Sequence, residues 1–263
     1  MNSQQQLHLA VRENDMAKIE ELINSGVDIN CLFYGWTPLQ VAISQGSEDL
    51  AVYLMEKGCD IHKQHDKNDP SAFESAVKRR QAKVVKELLG RGVDPNTVLN
   101  NQEPAIFLAI EDGRTEILDV LIEGKGDVNI LNSQGESPLY TSCREGFVKV
   151  CQALLGAGAD PNFVCHEDGD QTPLIVATAH EQNEVVKVLL KHGCDLNIQD
   201  GDGWTALWHA NSNSDVEMMD LLLKSGASKD IPDADGHSLL DEAKENEDDE
   251  VIELLTKFSK SWT

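Results

Sequence analysis

Cys59, His62 and His65 are spaced C-x2-H-x2-H, which supplies three of the four donors of a tetrahedral zinc site. Against a metal centre stand the lack of a fourth ligand and the place of both histidines in a polar turn. Cys165 and His166 could pair as nucleophile and base, but adjacent turn residues seldom face one another, and no third group is placed to orient the imidazole. Lys125 lies in a G-K-G tripeptide, not in the G-x-x-x-x-G-K-[ST] loop that cradles phosphates. With 46 Asp and Glu in the chain, chance carboxylate pairs are expected everywhere, and none is singled out as acid and base. The residues therefore predict no catalytic, cofactor-binding or metal-binding site, and a chain that is not an enzyme.

The same carboxylates outnumber 22 Lys and Arg among 263 residues, for a formal charge of −24. Such a surface disfavours nucleic acid and anionic membranes, both of which need basic faces. An apolar content of 40% suffices for a packed core. No run approaches the roughly 18 apolar residues that span a bilayer, so no membrane insertion is expected. The start, MNSQQQLHLAVREND, lacks the basic and apolar segments of a secretory signal. Cys31, Cys59, Cys143, Cys151, Cys165 and Cys194 are not densely spaced, which predicts reduced thiols in the cytoplasm or nucleus.

What organises the chain is a period. Small residues recur at Ala10, Ala42, Ala76, Ala109, Ser142, Ala177, Ala210 and Ala243, at steps of 32 to 35. An apolar residue precedes each by three: Leu7, Leu39, Phe73, Ile106, Leu139, Leu174, Leu207 and Leu240. Apolar pairs such as Leu54-Met55, Leu88-Leu89 and Leu189-Leu190 begin twelve positions after the marker. Thr37-Pro38, Ser137-Pro138 and Thr172-Pro173 read as helix N-caps followed by a first-turn proline. Gly46, Gly113 and Gly146 end the short helix, and a second follows, as in NEVVKVLLKHG, with apolar spacing i, i+3, i+4. One such helix pair cannot bury its own apolar stripe, so neighbours must stack.

These units resemble the ankyrin repeats. The likeness is carried by GWTPLQVAISQGSEDLAVYLMEKGCDI, GESPLYTSCREGFVKVCQALLGAGADPN, QTPLIVATAHEQNEVVKVLLKHGCDLN and GWTALWHANSNSDVEMMDLLLKSGAS, against a pattern G-x-T-P-L-H-x-A followed by G-x-D-x-N. It implies an all-α ankyrin-repeat solenoid of stacked antiparallel helix pairs with projecting β-turn or hairpin loops. A single domain over 1–263 is expected, with repeats near 1–31, 32–65, 66–98, 99–131, 132–166, 167–199, 200–232 and 233–263, the first and last being caps. The departures are specific. The family histidine stands only at His8 and is replaced by Gln40, Glu74, Phe107, Tyr140, Ile175, Trp208 and Asp241, while Arg80 and Lys125 occupy glycine positions.

The resemblance implies a noncatalytic interaction module that binds a peptide or folded partner on its concave face, through loop tips and the exposed end of each first helix. Transferred position by position, these are Phe33, Tyr34, Trp36, Ser44 and Gln45; Lys67, Asn68, Lys78 and Arg79; Asn101, Glu103, Glu111 and Asp112; and Ser133, Gln134, Glu136, Arg144 and Glu145. The later repeats give Asp168, Gln171, Ala179 and His180; Gly201, Asp202, Trp204, Ser212 and Asn213; and Ala234, Asp235, His237, Glu245 and Asn246. Phe33, Tyr34 and Trp36 rank first, because exposed aromatics dominate binding hot spots; packing of Trp36 along the neighbouring turn is the competing reading. Residues 63–96 carry eight basic and five acidic side chains, residues 231–263 three and ten. A monomer binding a partner with basic and apolar anchors is expected. Two alternatives stand beside it: a small anionic, oligonucleotide-like ligand held between the second and third repeats by Trp36 with Lys67 or Lys78, or an interaction domain of a larger enzyme or channel. Asn30, Asn96, Asn129, Asn162 and Asn197 each follow a leucine by eight residues and resemble asparagines hydroxylated in the family.

Overall fold

The computed structural model describes residues 2–66 and 69–258. Among these residues it is all helical, without an extended strand, and it divides into two compact units, Met1–Asp127 and Val128–Thr263. The first unit holds α1 (Ser3–Glu13), α2 (Met16–Asn24), α3 (Pro38–Ser44), α4 (Glu48–Glu56), α5 (Ala72–Lys78), α6 (Ala82–Gly90), α7 (Ala105–Ile110) and α8 (Glu116–Glu123). The second holds α9 (Pro138–Arg144), α10 (Val148–Gly156), α11 (Pro173–Ala179), α12 (Asn183–Lys191), α13 (Ala206–Ser212), α14 (Val216–Lys224), α15 (Leu239–Glu245) and α16 (Asp249–Lys257).

The expected punctuation is in place. Thr37, Ser137 and Thr172 accept the amides of Gln40, Tyr140 and Ile175, each at 3.2 Å, ahead of Pro38, Pro138 and Pro173. Carboxylates that the period does not reveal cap some second helices: Asp15, Asp215 and Asp248 accept the amides of Lys18, Met218 and Val251. Thr205 is an exception, because its buried hydroxyl meets no partner. The turn between paired helices is left-handed whether or not it carries glycine: φ is +77° at Gly46 and +57° at Arg80. A side chain there costs roughly 1–2 kcal/mol, and Arg80 offsets this by reaching Asp112 (2.6 Å) and the Ala109 carbonyl (3.3 Å).

Helices seven to nine residues long are too short to persist alone, so packing between repeats holds each one. In the first unit α1, α3, α5 and α7 pack in sequence, as do α4, α6 and α8; in the second, α9, α11 and α13 form the corresponding row. The predicted Leu7, Leu39, Phe73 and Ile106 lie in the core of the first unit and Leu139, Leu174 and Leu207 in that of the second, all at most 4% exposed. Leu240 departs from the pattern and is half-buried, with Leu239 fully covered instead.

The asparagines after each second helix tie one repeat to the next. Asn30 Oδ1 accepts the Asp60 amide and Asn96 Oδ1 that of Asp127, both at 2.7 Å, within the first unit. In the second unit Asn129, Asn162 and Asn197 accept from Asp160 (2.9 Å), Asp195 (2.7 Å) and Ser228 (2.8 Å). His62 stands where this series would place another asparagine, although its own turn is built alike, with its amide donated to Asp60 (2.9 Å). Replacing Asn162 by Ala removes one rung and is expected to lower the unfolding free energy by about 1 kcal/mol, the net worth of a typical hydrogen bond. Replacing His62 by Asn should raise it, since a carboxamide would then face the Asp94 amide. Urea unfolding followed by circular dichroism checks both, and two unchanged midpoints would make the rungs incidental.

Candidate functional site

Three loop tips ahead of first helices in the second unit, those before α9, α13 and α15, follow one design; the tip before α11 is longer, with the Cys165 amide donated to the Gln171 carbonyl (2.8 Å). Asn132, Asp200 and Asp233 each donate their own amide to the carbonyl four residues on, in Glu136, Trp204 and His237. Each also folds its side-chain oxygen back onto the amides two and four residues ahead. Such self-bonding turns need an Asn or Asp at the first position. In the first unit the tips before α7 and α3 start with leucines, which have no acceptor to offer: Leu99 still donates its amide four residues on, to Glu103 (2.9 Å), whereas the tip that starts at Leu32 does not. The loop closes more tightly instead: Phe33 and Trp36 exchange both backbone hydrogen bonds, at 3.0 and 3.2 Å. Tyr34 and Gly35 between them have φ of +50° and +81°, the two-residue geometry of a type I′ turn.

This tight turn drives aromatic surface outward. Tyr34 is 89% exposed, Trp36 47% and Leu32 38%. Phe33 turns in and lies between Tyr34 (ring centroids 4.4 Å apart) and His8 (5.5 Å). Together with Arg12, Val41, Ser44 and Gln45 these rings line a cleft of about 290 Å³. His8 is buried, and desolvation pulls its pKa below the ordinary value even though the Cys31 carbonyl, 3.1 Å from Nε2, favours the charged form. A neutral imidazole donating from Nε2 to that carbonyl therefore forms the back of the cleft. Gln45 donates to the Arg12 carbonyl (3.1 Å) and Ser44 to that of Val41 (2.8 Å), so both side chains shape the wall.

The other expected contact residues divide. Lys78, Arg79 and Glu111 are exposed on their helix ends. Asp112 is engaged by Arg80 and by Arg114 (3.4 Å), and Glu103 closes its tip by accepting the Leu99 amide (2.9 Å). Lys67 and Asn68 lie outside the described residues. The cation on the aromatic cleft is Arg12, from the preceding helix pair, and Lys78 does not line it. Arg144 is turned inward onto Glu136 and also meets Glu145 (3.5 Å). Glu136, placed by its sequence position among the exposed contacts, is 5% exposed, because Arg144, Asn132 (2.9 Å) and Thr141 (3.1 Å) all bond its carboxylate. Trp204 is half-buried, stacked on Trp208 (6.1 Å, 20°) and edge-on to His209 (5.3 Å). Trp208 takes over the role of the histidine it replaces: its Nε1 donates to the Ile231 carbonyl (3.0 Å), 23 residues on, the same reach as His8 to Cys31.

The residues with catalytic potential are turned away from one another. The Cys165 thiol is buried and directed at the Gly135 carbonyl (3.8 Å), whereas His166 pairs with Asp170 (2.5 Å). Burial pushes the Cys59 thiol up to about 12 and Cys31 and Cys194 to about 11, far from the range of reactive thiolates. Donors of metal-ligand type converge within 4.8 Å at Asp233, Asp235 and His237, a group to which Cys59, His62 and His65 do not belong.

The chain matches the family model described as ankyrin repeats (3 copies) over residues 2–65, 73–165 and 174–261. It is 29% identical over 161 residues to the nuclear factor NF-kappa-B p105 subunit of Gallus gallus, covering 59% of this chain and 16% of that protein. To neurogenic locus notch homolog protein 1 of Danio rerio it is 25% identical over 226 residues, covering 78% of this chain and 9% of the relative. The chain thus spans less than a quarter of the length of either relative. Among solved structures it is similar to the ankyrin repeat domain of Bcl-3, a member of the IkappaB protein family, with a TM-score of 0.74 and 26% identity over 84% of this chain and 99% of that one.

The Arg144–Glu136 pair carries a pH signature. Burial opposes ionisation of Glu136, but hydrogen bonds from Arg144, Asn132 and Thr141 outweigh it and hold the carboxyl below its ordinary value. Stability from this pairing is complete above the unfolded glutamate pKa of about 4.3 and is lost as pH falls through the lower folded value. Glu136→Gln should cost about 2 kcal/mol at pH 7, the worth of a hydrogen bond to a charged group, and flatten the acid limb of a stability-versus-pH curve. An unchanged limb would show that other carboxylates govern acid unfolding.

Proposed function

The chain belongs to the ankyrin-repeat family, and on that premise we propose that it is a noncatalytic interaction module whose main anchor site is the aromatic tip and cleft of its first unit. The observation that carries this reading is the strained type I′ turn that holds Tyr34 and Trp36 in solvent beside the cleft of Phe33, His8 and Arg12. Exposed aromatic surface on a rigid turn is costly to a free monomer and suits a partner, since large rings contribute much contact at little entropic cost. An apolar side chain of a peptide or folded partner fills the cleft. Basic residues of the same partner favour the strongly anionic remainder, where Glu111 and Glu145 are exposed, and such charges set association rate and specificity more than affinity. The six free, buried thiols support a reducing compartment, the cytoplasm or the nucleus.

Replacing Tyr34 by Gly separates this function from folding. Glycine adopts positive φ without the clash that tyrosine suffers, so stability should hold or rise by up to about 1 kcal/mol. Partner capture from cell extract, quantified by mass spectrometry, should fall at least about tenfold with Tyr34→Gly and with Trp36→Ala, the loss expected of a hot-spot ring. Capture unchanged by both variants would remove the aromatic tip as the anchor site.

A further inference from the structure

A second recess, in the second unit, has the opposite electrostatics. It encloses about 150 Å³ between the tip preceding α15, the helix α15 itself and the paired indoles of Trp204 and Trp208. Where the cleft of the first unit carries Arg12 and no carboxylate, this one is walled by Asp233, Asp241, Glu242 and Glu245, and no Lys or Arg lines it. We propose that it receives an arginine side chain of a protein partner, with the guanidinium stacked on Trp204 and hydrogen-bonded by Glu242 and Glu245.

The indoles define the geometry. They stack at 6.1 Å with a 20° tilt, and Trp208, 2% exposed, forms the closed floor while its N–H is spent on the Ile231 carbonyl (3.0 Å). Trp204 is only half-buried and supplies the ring against which a flat cation stacks. The carboxylates are unevenly satisfied. Asp233 is already bonded by the amides of Asp235 (3.0 Å) and His237 (2.8 Å) and by the His237 imidazole (3.3 Å). Asp241 holds Ser238 (2.6 Å) and Lys244 (3.4 Å). Glu242 receives a single long bond from Asn211 (3.4 Å), and Glu245 has no ion pair among the described residues. Burial of Glu242, reinforced by the negative charges of Asp233 and Glu245 and only partly offset by His237, which also lines the recess, pushes its carboxyl above the ordinary value.

The choice among cations follows from this lining. A guanidinium is planar and carries five donors in a fork that matches carboxylates while its face stacks on an indole. A lysine ammonium is a strongly hydrated point charge that makes poorer use of the ring. A trimethylated ammonium has no donors and would bury the two under-bonded carboxylates without hydrogen bonds. This site shares no residue with the aromatic tip of the first unit, so the two readings stand or fall separately.

The test titrates the whole chain with N-acetyl-arginine amide, following the Trp204 indole N–H by nuclear magnetic resonance. The lysine, trimethyl-lysine and citrulline analogues serve as comparators. Arginine should give a saturable Trp204 shift, at least about fivefold tighter than lysine or trimethyl-lysine, with none from uncharged citrulline. Glu242→Gln, conservative in shape, should weaken arginine at least about fivefold, whereas Trp36→Ala should leave it unchanged. Equal affinity for arginine and lysine, tighter binding of trimethyl-lysine, or no saturable shift would overturn the assignment.

Discussion

A helix of seven residues with its apolar face exposed is not a stable object in water, and every other property of this protein follows from that constraint. Each first helix up to α13 buries its marker alanine or serine and the preceding large apolar residue within its unit, and a row becomes stable only as a row. Burial of Leu39, Ala42 and Ile43 on α3 is at once the core of its own repeat and part of the floor for the next. The asparagine rungs work in the same direction at the other end of each repeat, where the chain leaves the second helix and has no hydrophobic means of fixing its path.

This division of labour frees the tips. A tip anchored by Asn132, Asp200 or Asp233 satisfies its amides internally and shows a polar surface to water. The tip at Leu32 has no such anchor and closes as a two-residue hairpin between Phe33 and Trp36, which places a tyrosine at positive φ. Strain of this kind persists only where the surroundings over-determine it. Here the flanking hydrogen bonds between Phe33 and Trp36 and the buried His8–Phe33 contact do so. The consequence is an aromatic surface held in one shape by the fold, and a partner of the kind proposed would meet it with less ordering entropy to lose.

Most of the scaffold was legible in the sequence, because a repeat states its core positions eight times over. The caps at Thr37, Ser137 and Thr172 could be read for a similar reason: hydroxyl, proline and leucine in succession admit few backbone paths. What could not be read was the fate of charged and polar side chains whose partners lie elsewhere in space. Glu136 and Trp36 occupy equivalent positions in their tips. The first is sealed under Arg144, which approaches from eight residues away, and the second is left in solvent. The rungs from Asn162 and its equivalents were equally hidden, since each bonds an amide about one period further on, and only the family likeness drew attention to those asparagines. The missing acceptor at Leu32 does not by itself announce the hairpin, since Leu99 lacks one as well and its tip still closes onto Glu103.

Coverage of the first unit's aromatic tip by a partner is tested most directly by hydrogen–deuterium exchange across the chain with and without a captured partner. Added protection is predicted at the amides of residues 32–36 and at the neighbouring ends of α1 and α3, around Arg12 and Gln45, with the outer helices α2 and α4 unchanged. Protection that gathers on α2, α4 and α6, with the Tyr34 turn exchanging as fast as before, would contradict it.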